Sequence, residues 1–457
     1  VSSDILKSGV DENKVTSGPI PRTIISLALP VVMGMFMEFA LSTTDYYWVG
    51  KLGANAQDSI TSSMVVIWTM FALISIISVG VTALVSRNVG SGDFEKVRYF
   101  IKQGLAFAVI LGLACTVGGY FVAPVLLKFM HTSDATFAWA LPYLRVFFLT
   151  TLLFWWSETV YAVFRASGDT KTPTLVGVLS VVINMVMDPM LIFGIGPFPR
   201  LGVVGASVAT AIAMFVSMIV ITVLLLKGKL LYRVDRLFHL RPKVESMLRI
   251  AKIGIPVSGQ QLIFVIVYWF LIRIVHAFGD TAGAAMGIGN RMESFSYLTC
   301  SGFSVAAATM VGQNLGAKKP DRAARCAWGS AGIAVAITFV ITILFVTLPA
   351  QIASVFTSDP EVHKIATDYI FILGLSQSAM ALEIVLEGSF GGAGDTLPPM
   401  AVQVPLSLAR VPLAYLLAFN AGWGVNGVWW TLTFTSVAKA AILSYMFGRG
   451  KWKLKQV

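Results

Sequence analysis

Apolar runs of about twenty residues or more recur along the whole chain, separated by short polar or glycine-containing breaks. That spacing predicts helices that cross a membrane. Twelve runs stand out, over residues 22–49, 56–84, 98–127, 136–164, 172–194, 202–226, 249–277, 282–310, 324–348, 362–390, 398–419 and 424–447. None alternates with period two, so a membrane β-barrel is excluded. The expected fold is an all-α membrane protein with twelve transmembrane helices. The stretch ahead of the first run is polar and the run itself is too long for a signal-peptide core, so no cleavage is expected there.

The breaks repeat. Leu29 and Pro30 return as Ile255 and Pro256, Gly53 as Gly279, and Asn88-Val89-Gly90 as Asn314-Leu315-Gly316. Gly168-Asp169-Thr170 with Pro173 returns as Gly394-Asp395-Thr396 with Pro399, each pair 226 positions apart. "GVVGAS" from 202 returns as "GVNGVW" from 424, 222 positions on, which places a four-residue insertion near "GPFPR" in the first half. Two six-helix halves follow, and an even helix count gives both the same orientation. The expected lobes are 1–226 and 249–457. The basic segment 227–248, "KGKLLYRVDRLFHLRPKVESML", is the cytosolic linker between them, expected as an amphipathic helix on anionic lipid. Paired halves are a transporter plan, with the site near the midplane; a receptor, a channel or a membrane enzyme fits it less well. No GxxxxGK[ST] loop is present, and "GSFGGAGDT" at 388–396 lacks the lysine and the preceding strand, so ATP is not the expected energy source.

Composition agrees: 56% of residues are hydrophobic and 12% charged, against roughly a quarter charged in soluble domains. A net charge of +11 raises nucleic acid as a partner, but the distribution rejects it. Basic residues gather in alternate breaks: Lys7, Lys14 and Arg22; Arg87, Lys96, Arg98 and Lys102; Arg165 and Lys171; Lys227, Lys229, Arg233, Arg236, Arg241, Lys243, Arg249 and Lys252; Lys318, Lys319, Arg322 and Arg325; Arg449, Lys451, Lys453 and Lys455. The opposite breaks hold Lys51, Lys128, Arg200 and Lys364. This bias places both termini in the cytosol. Chain length and short tails suggest a prokaryotic inner membrane, and a monomer is expected. Cys115, Cys300 and Cys326 lack metal-ligand spacing, so neither a disulfide framework nor a zinc site is expected; no cofactor is expected beyond the coupling ion.

An ionisable residue inside a span costs about 2.5–3.5 kcal/mol on insertion scales and marks function. The acids so placed are Glu38, Asp45, Glu158, Asp188, Glu293, Glu383 and Glu387. The repeat sorts them: Asp45 aligns with Leu271 and Asp188 with Ala414, while Glu383 and Glu387 align with Ser157 and Tyr161. One scaffold thus carries two chemistries. Asn184 and Asp188 are four apart and share a helix face. Pro189 leaves the Met185 carbonyl without its helical donor. The span thereby offers oxygens suited to Na+, while Asp188 alternatively takes a proton or is satisfied by a nearby Ser or Thr. Asp45 follows Pro30 by fifteen residues. A proline kink there gives a bistable helix that an ion at Asp45 can bias; the plainer alternative has Asp45 facing outer water.

With "STTDYYWVGKLG" at 42–53, "RASGDTKTP" at 165–173, "NMVMDPMLIFG" at 184–194, "GVVGASVAT" at 202–210 and "GAGDTLPP" at 392–399, the chain resembles the multidrug and toxic compound extrusion (MATE) family of cation-coupled antiporters, over all twelve helices. The resemblance implies two pseudo-two-fold lobes and a cation site formed by Asp45, Asn184, Asp188 and Thr210, with Pro30 bending the first helix. It implies Na+ or H+ as coupling ion and small organic cations as substrates, held by carboxylates and aromatic walls. In the NorM-like branch the second lobe carries a glutamate and an aspartate. Here Gln260 and Gln261 stand near the first position, and Glu383 and Glu387 are displaced by a turn or two from the second. Glu38 is a further candidate for the cavity or for a structural pair. The rival within the superfamily is a lipid-linked oligosaccharide flippase, which needs cavity cations; Arg145, Arg273, Arg291 and Arg410 are the candidates, some of them paired with acids such as Glu158 or Glu293.

Overall fold

The computed structural model describes residues 14–129, 132–230, 232–235 and 237–456. Lys7 and Arg236 lie outside the described residues. The chain is an all-α, multi-pass membrane protein. Its first six spans are α1 Ile20–Gly50, α2 Ala54–Ser91, α3 Phe94–Phe129, α4 Asp134–Ala166, α5 Lys171–Phe193 and α6 Val203–Leu226. The second six are α7 Val244–His276, α8 Asp280–Gly316, α9 Pro320–Thr347, the two-armed α10 (Pro360–Gly374 and Gln377–Ala393), α11 Leu397–Tyr415 and α12 Asn426–Gly448. Among the described residues, ten helices are each long and apolar enough to cross a bilayer. The eleventh is α10, whose arms meet at 53°. α12 completes the twelve.

Repeat-related glycines do the same work in each half. Gly53 and Gly279 open α2 and α8 at φ 115° and 101°, in a region that a side chain disfavours. Gly205 and Gly427 serve close packing instead. A Cβ on Gly205 would lie 2.6 Å from the Leu191 carbonyl, and one on Gly427 would lie 2.6 Å from the Ala418 nitrogen. Each glycine lets the sixth helix of its half approach the backbone of the fifth. Elsewhere the starts are capped conventionally: Ser133 accepts from Thr136 N at 3.2 Å, and Asp359 accepts from Val362 N at 3.0 Å with Pro360 at the first position.

Among the described residues two compact units emerge, one within 33–255 and the other within 14–32 and 256–456. The divisions fall at the repeat-related prolines, Pro30 and Pro256. The start of α1 packs within the second unit, where a Cβ on Gly302 would lie 3.1 Å from Ala28 O. The start of α7 packs within the first, where Gly254 sits directly against the Ile76 backbone. Both first helices thus change company at their prolines, which charge patterning alone does not reveal.

The linker departs from expectation. Instead of an amphipathic helix, its described residues form turns and extended chain up to Val244. Polar partners on the first unit replace the helical hydrogen bonds. The Gln103 amide donates to Arg241 O at 2.8 Å and accepts from Lys243 N at 2.8 Å. Tyr99 and Ser246 hydroxyls meet at 2.6 Å, as do Tyr232 and Ser167. Val234 and Leu237 are buried beside them.

Candidate functional site

Within the first unit, α5 brings Asn184 and Asp188 to one face, and both are fully buried. Pro189 continues the helix but removes the donor that the Met185 carbonyl would otherwise take. Thr210 of α6 reaches the same point. In the amide orientation that satisfies both of its ends, Asn184 Nδ2 donates to Asp188 Oδ2 at 3.1 Å. Its Oδ1 accepts from Thr210 Oγ1 at 2.8 Å and from Thr210 N at 3.0 Å. A buried carboxyl needs such donors.

Asp45 arrives from α1, and its carboxyl comes within hydrogen-bonding reach of that of Asp188. Two carboxyl groups in such contact are able to share one proton, since like charges at that range resist ionising together. Tyr143 of α4 stands within electrostatic reach of both. Among the described residues neither aspartate is ion-paired to lysine or arginine. Asp45, Asn184, Asp188 and Thr210 are therefore brought together as one site. Tyr143 is the member that sequence reading missed, because an aromatic residue in an apolar span carries no signal of its own.

Glu38 belongs to a different group. It lies within reach of the Glu158–Arg165 ion pair, beside Tyr161, whose hydroxyl meets Ser217 Oγ at 2.5 Å. In the second unit the acids are joined into a network. Gln403 Nε2 donates to Glu383 Oε1 at 2.8 Å and lies 3.5 Å from Glu387 Oε2, while Gln260 donates to Glu387. Gln261 is exposed. Glu293 accepts from the Tyr369 hydroxyl at 3.3 Å. Arg410 donates to Thr435 Oγ1 at 2.8 Å and Ser436 Oγ at 3.1 Å, with Glu293 and Glu383 in electrostatic reach. Lys439, a further ionisable residue inside a span, lies 3.6 Å from Glu383 Oε1. Of the remaining arginines, Arg145 covers the Tyr120 ring at 4.9 Å. Among the described residues no group of three His, Cys, Asp or Glu side chains converges as a metal centre.

Comparison with known proteins gives the same repeat. The family model MatE matches the chain twice, at residues 30–190 and 256–416, two segments at the 226-residue interval. A probable multidrug resistance protein NorM of Thermotoga maritima is 26% identical over 96% of this chain and 94% of its own. An FAD transporter of Shewanella oneidensis is also 26% identical, over 96% and 97%. Among solved structures, a MOP superfamily transporter from Pyrococcus furiosus superposes with a TM-score of 0.90 at 21% identity, over 98% of this chain and 100% of that one. A MATE protein in the bent conformation superposes with a TM-score of 0.89 at 22% identity, over 97% of each. Structures this distant speak to the fold alone, two repeats of six transmembrane helices. The chain belongs to the MatE family of multidrug efflux transporters, and it is a transporter, not an enzyme.

Proposed function

We propose that this protein exports cationic amphiphilic compounds in exchange for a coupling ion bound at Asp45 and Asp188, from an inner membrane with both termini in the cytosol. The observation that carries the reading is the close approach of the two carboxyls, with no lysine or arginine paired to either among the described residues. Removing a shared proton leaves two adjacent negative charges in a span, a state that an incoming organic cation stabilises and a proton resets. Exchange follows because the two cations compete for one charge deficit.

The arrangement favours H+ over Na+, because carboxyls this close share a proton with no change in the site. Sodium requires the Asn184 amide to turn, so that Oδ1 faces Asp188 and Nδ2 donates to Thr210 Oγ1 at 2.8 Å. An anionic cargo, such as the flippase reading requires, needs an available cation. Arg410, the best-buried arginine candidate, is already engaged by Thr435, Ser436 and nearby acids.

The test is efflux of a cationic dye from liposomes under an imposed pH gradient, an imposed sodium gradient, or neither. Dye should move under the pH gradient, and Asp45→Asn or Asp188→Asn should abolish it at unchanged protein level. Full transport by both variants defeats the coupling role. Drive by sodium alone reassigns the ion.

A further inference from the structure

Lys439 is a buried charge that the coupling scheme leaves unused. It lies on α12 and is 2% exposed. Its ammonium donates to Ser407 Oγ at 2.9 Å and lies 3.6 Å from Glu383 Oε1, with the Glu387 carboxylate in electrostatic reach. Gln403 and Ser407 are four apart on α11, so one face of that helix orients Glu383 and holds Lys439. Hydroxyl and carboxylate oxygens around a desolvated monovalent charge are the surroundings that a small alkali cation seeks. Here the charge is part of the chain.

The repeat shows what was exchanged. Glu387 aligns with Tyr161 at the 226-residue interval and Lys439 with Ser217 at the 222-residue interval that holds after the insertion. In the first half these two meet as neutral hydroxyls at 2.5 Å. In the second half the same places carry an acid and a base. Arg410 cannot take over the ammonium's place, because its guanidinium is held by Thr435 and Ser436.

We infer that Lys439 is a tethered counter-cation that closes the second-half carboxylates Glu383 and Glu387 to free alkali ions, and so confines coupling-ion exchange to the first half. Lys439 is then a specificity-determining residue: a lost ammonium leaves Glu383, Glu387 and Ser407 as an unneutralised oxygen set. The inference rests on the reading of Asp45 and Asp188 as the coupling site, and its test is a binding measurement that does not depend on transport.

Purified protein carrying Asp45→Asn and Asp188→Asn, which removes the first-half site, is assayed for saturable binding of radioactive sodium. It should bind none. Adding Lys439→Met should create one saturable site, with affinity at least tenfold above background, and Lys439→Arg should not. Because Lys439→Met leaves buried carboxylates without their partner, the combination of Lys439→Met with Glu383→Gln is the folded control, which should bind sodium at least tenfold more weakly than Lys439→Met alone. Recovery of Lys439→Met only in sodium-containing buffer also supports the inference. Sodium binding with Lys439 intact overturns it. So does a Lys439→Met protein that binds no sodium, or one that no alkali salt stabilises, since a vacated cation site is stabilised by the ion it takes.

Discussion

Arg410 on α11 stands 226 positions after Asn184 on α5, and each side chain meets a threonine hydroxyl of the following helix at 2.8 Å. The repeat has kept the reach of the side chain and changed its charge. In the first half an amide steadies Asp188; in the second a guanidinium faces Glu293 and Glu383. Only the first arrangement leaves a carboxyl pair without an internal cation.

On the proposed coupling reading Asn184 acts by position, and its removal should cost transport without unfolding the lobe. Asn184→Leu deletes a donor to a charged acceptor, worth about 1.5–3 kcal/mol, or about tenfold to a hundredfold in rate. Dye efflux at matched protein level measures it, and the optimum pH should shift relative to wild type, because Asp188 loses a hydrogen bond. Unchanged rate and pH profile would show that the amide is mere packing.

The glycine contact between α5 and α6 sets the geometry of that site. A Cβ at Gly205 of α6 would meet the Leu191 carbonyl at 2.6 Å, whereas one at Gly177 of α5 meets nothing within 4 Å. Gly205→Ala should lower the thermal midpoint through strain of about 1–3 kcal/mol, and Gly177→Ala should leave it in place or raise it. Equal effects of the two substitutions would contradict the close packing.

Tyr232 pins the linker, and burial pushes its phenol above the ordinary tyrosine range. The folded chain therefore favours the neutral phenol. The stability this contributes is fully present below about pH 10, the unfolded value, and is lost as pH rises through the folded one. Ultraviolet titration of wild type minus Tyr232→Phe should show one phenol ionising above the usual range, accompanied by release of the linker. Gln103→Ala, which removes both backbone contacts at Arg241 and Lys243, should make the linker more sensitive to trypsin at neutral pH. An ordinary phenol titration would argue against a docked strap.

Much of this was legible in the chain. Apolar runs marked the helices, the 226-residue interval is that of the two family segments, acids inside spans pointed to Asp45 and Asp188, and the four-residue spacing pointed to Asn184. What escaped has physical reasons. The break in α10 lies within "GLSQS" at 374–378, where no proline marks the bend. The linker's charges suggested a helix on lipid, but Gln103 and Tyr232 offered its backbone and apolar residues better partners. Lys439 obeys the same rule as the aspartates, being an ionisable residue inside an apolar run. That Asp45 touches Asp188 is a matter of helix packing, on which periodicity is silent.

The contact between those two carboxyls makes a last demand on the data. If Asp45 and Asp188 hold one proton between them, neither has a function to lose once the other is gone. Asp45→Asn removes a partner for the shared proton and leaves Asp188 with the Asn184 amide alone; Asp188→Asn does the converse to Asp45. Each single variant should therefore lose nearly all pH-driven efflux, and the double variant should be no worse than either, a strongly non-additive cycle. Two independent ion sites would instead give losses that multiply. The cycle, read as initial dye efflux under a fixed pH gradient, separates the cases: losses that multiply in the double variant would mean that the aspartates bind separate ions, and the shared proton would have to be abandoned.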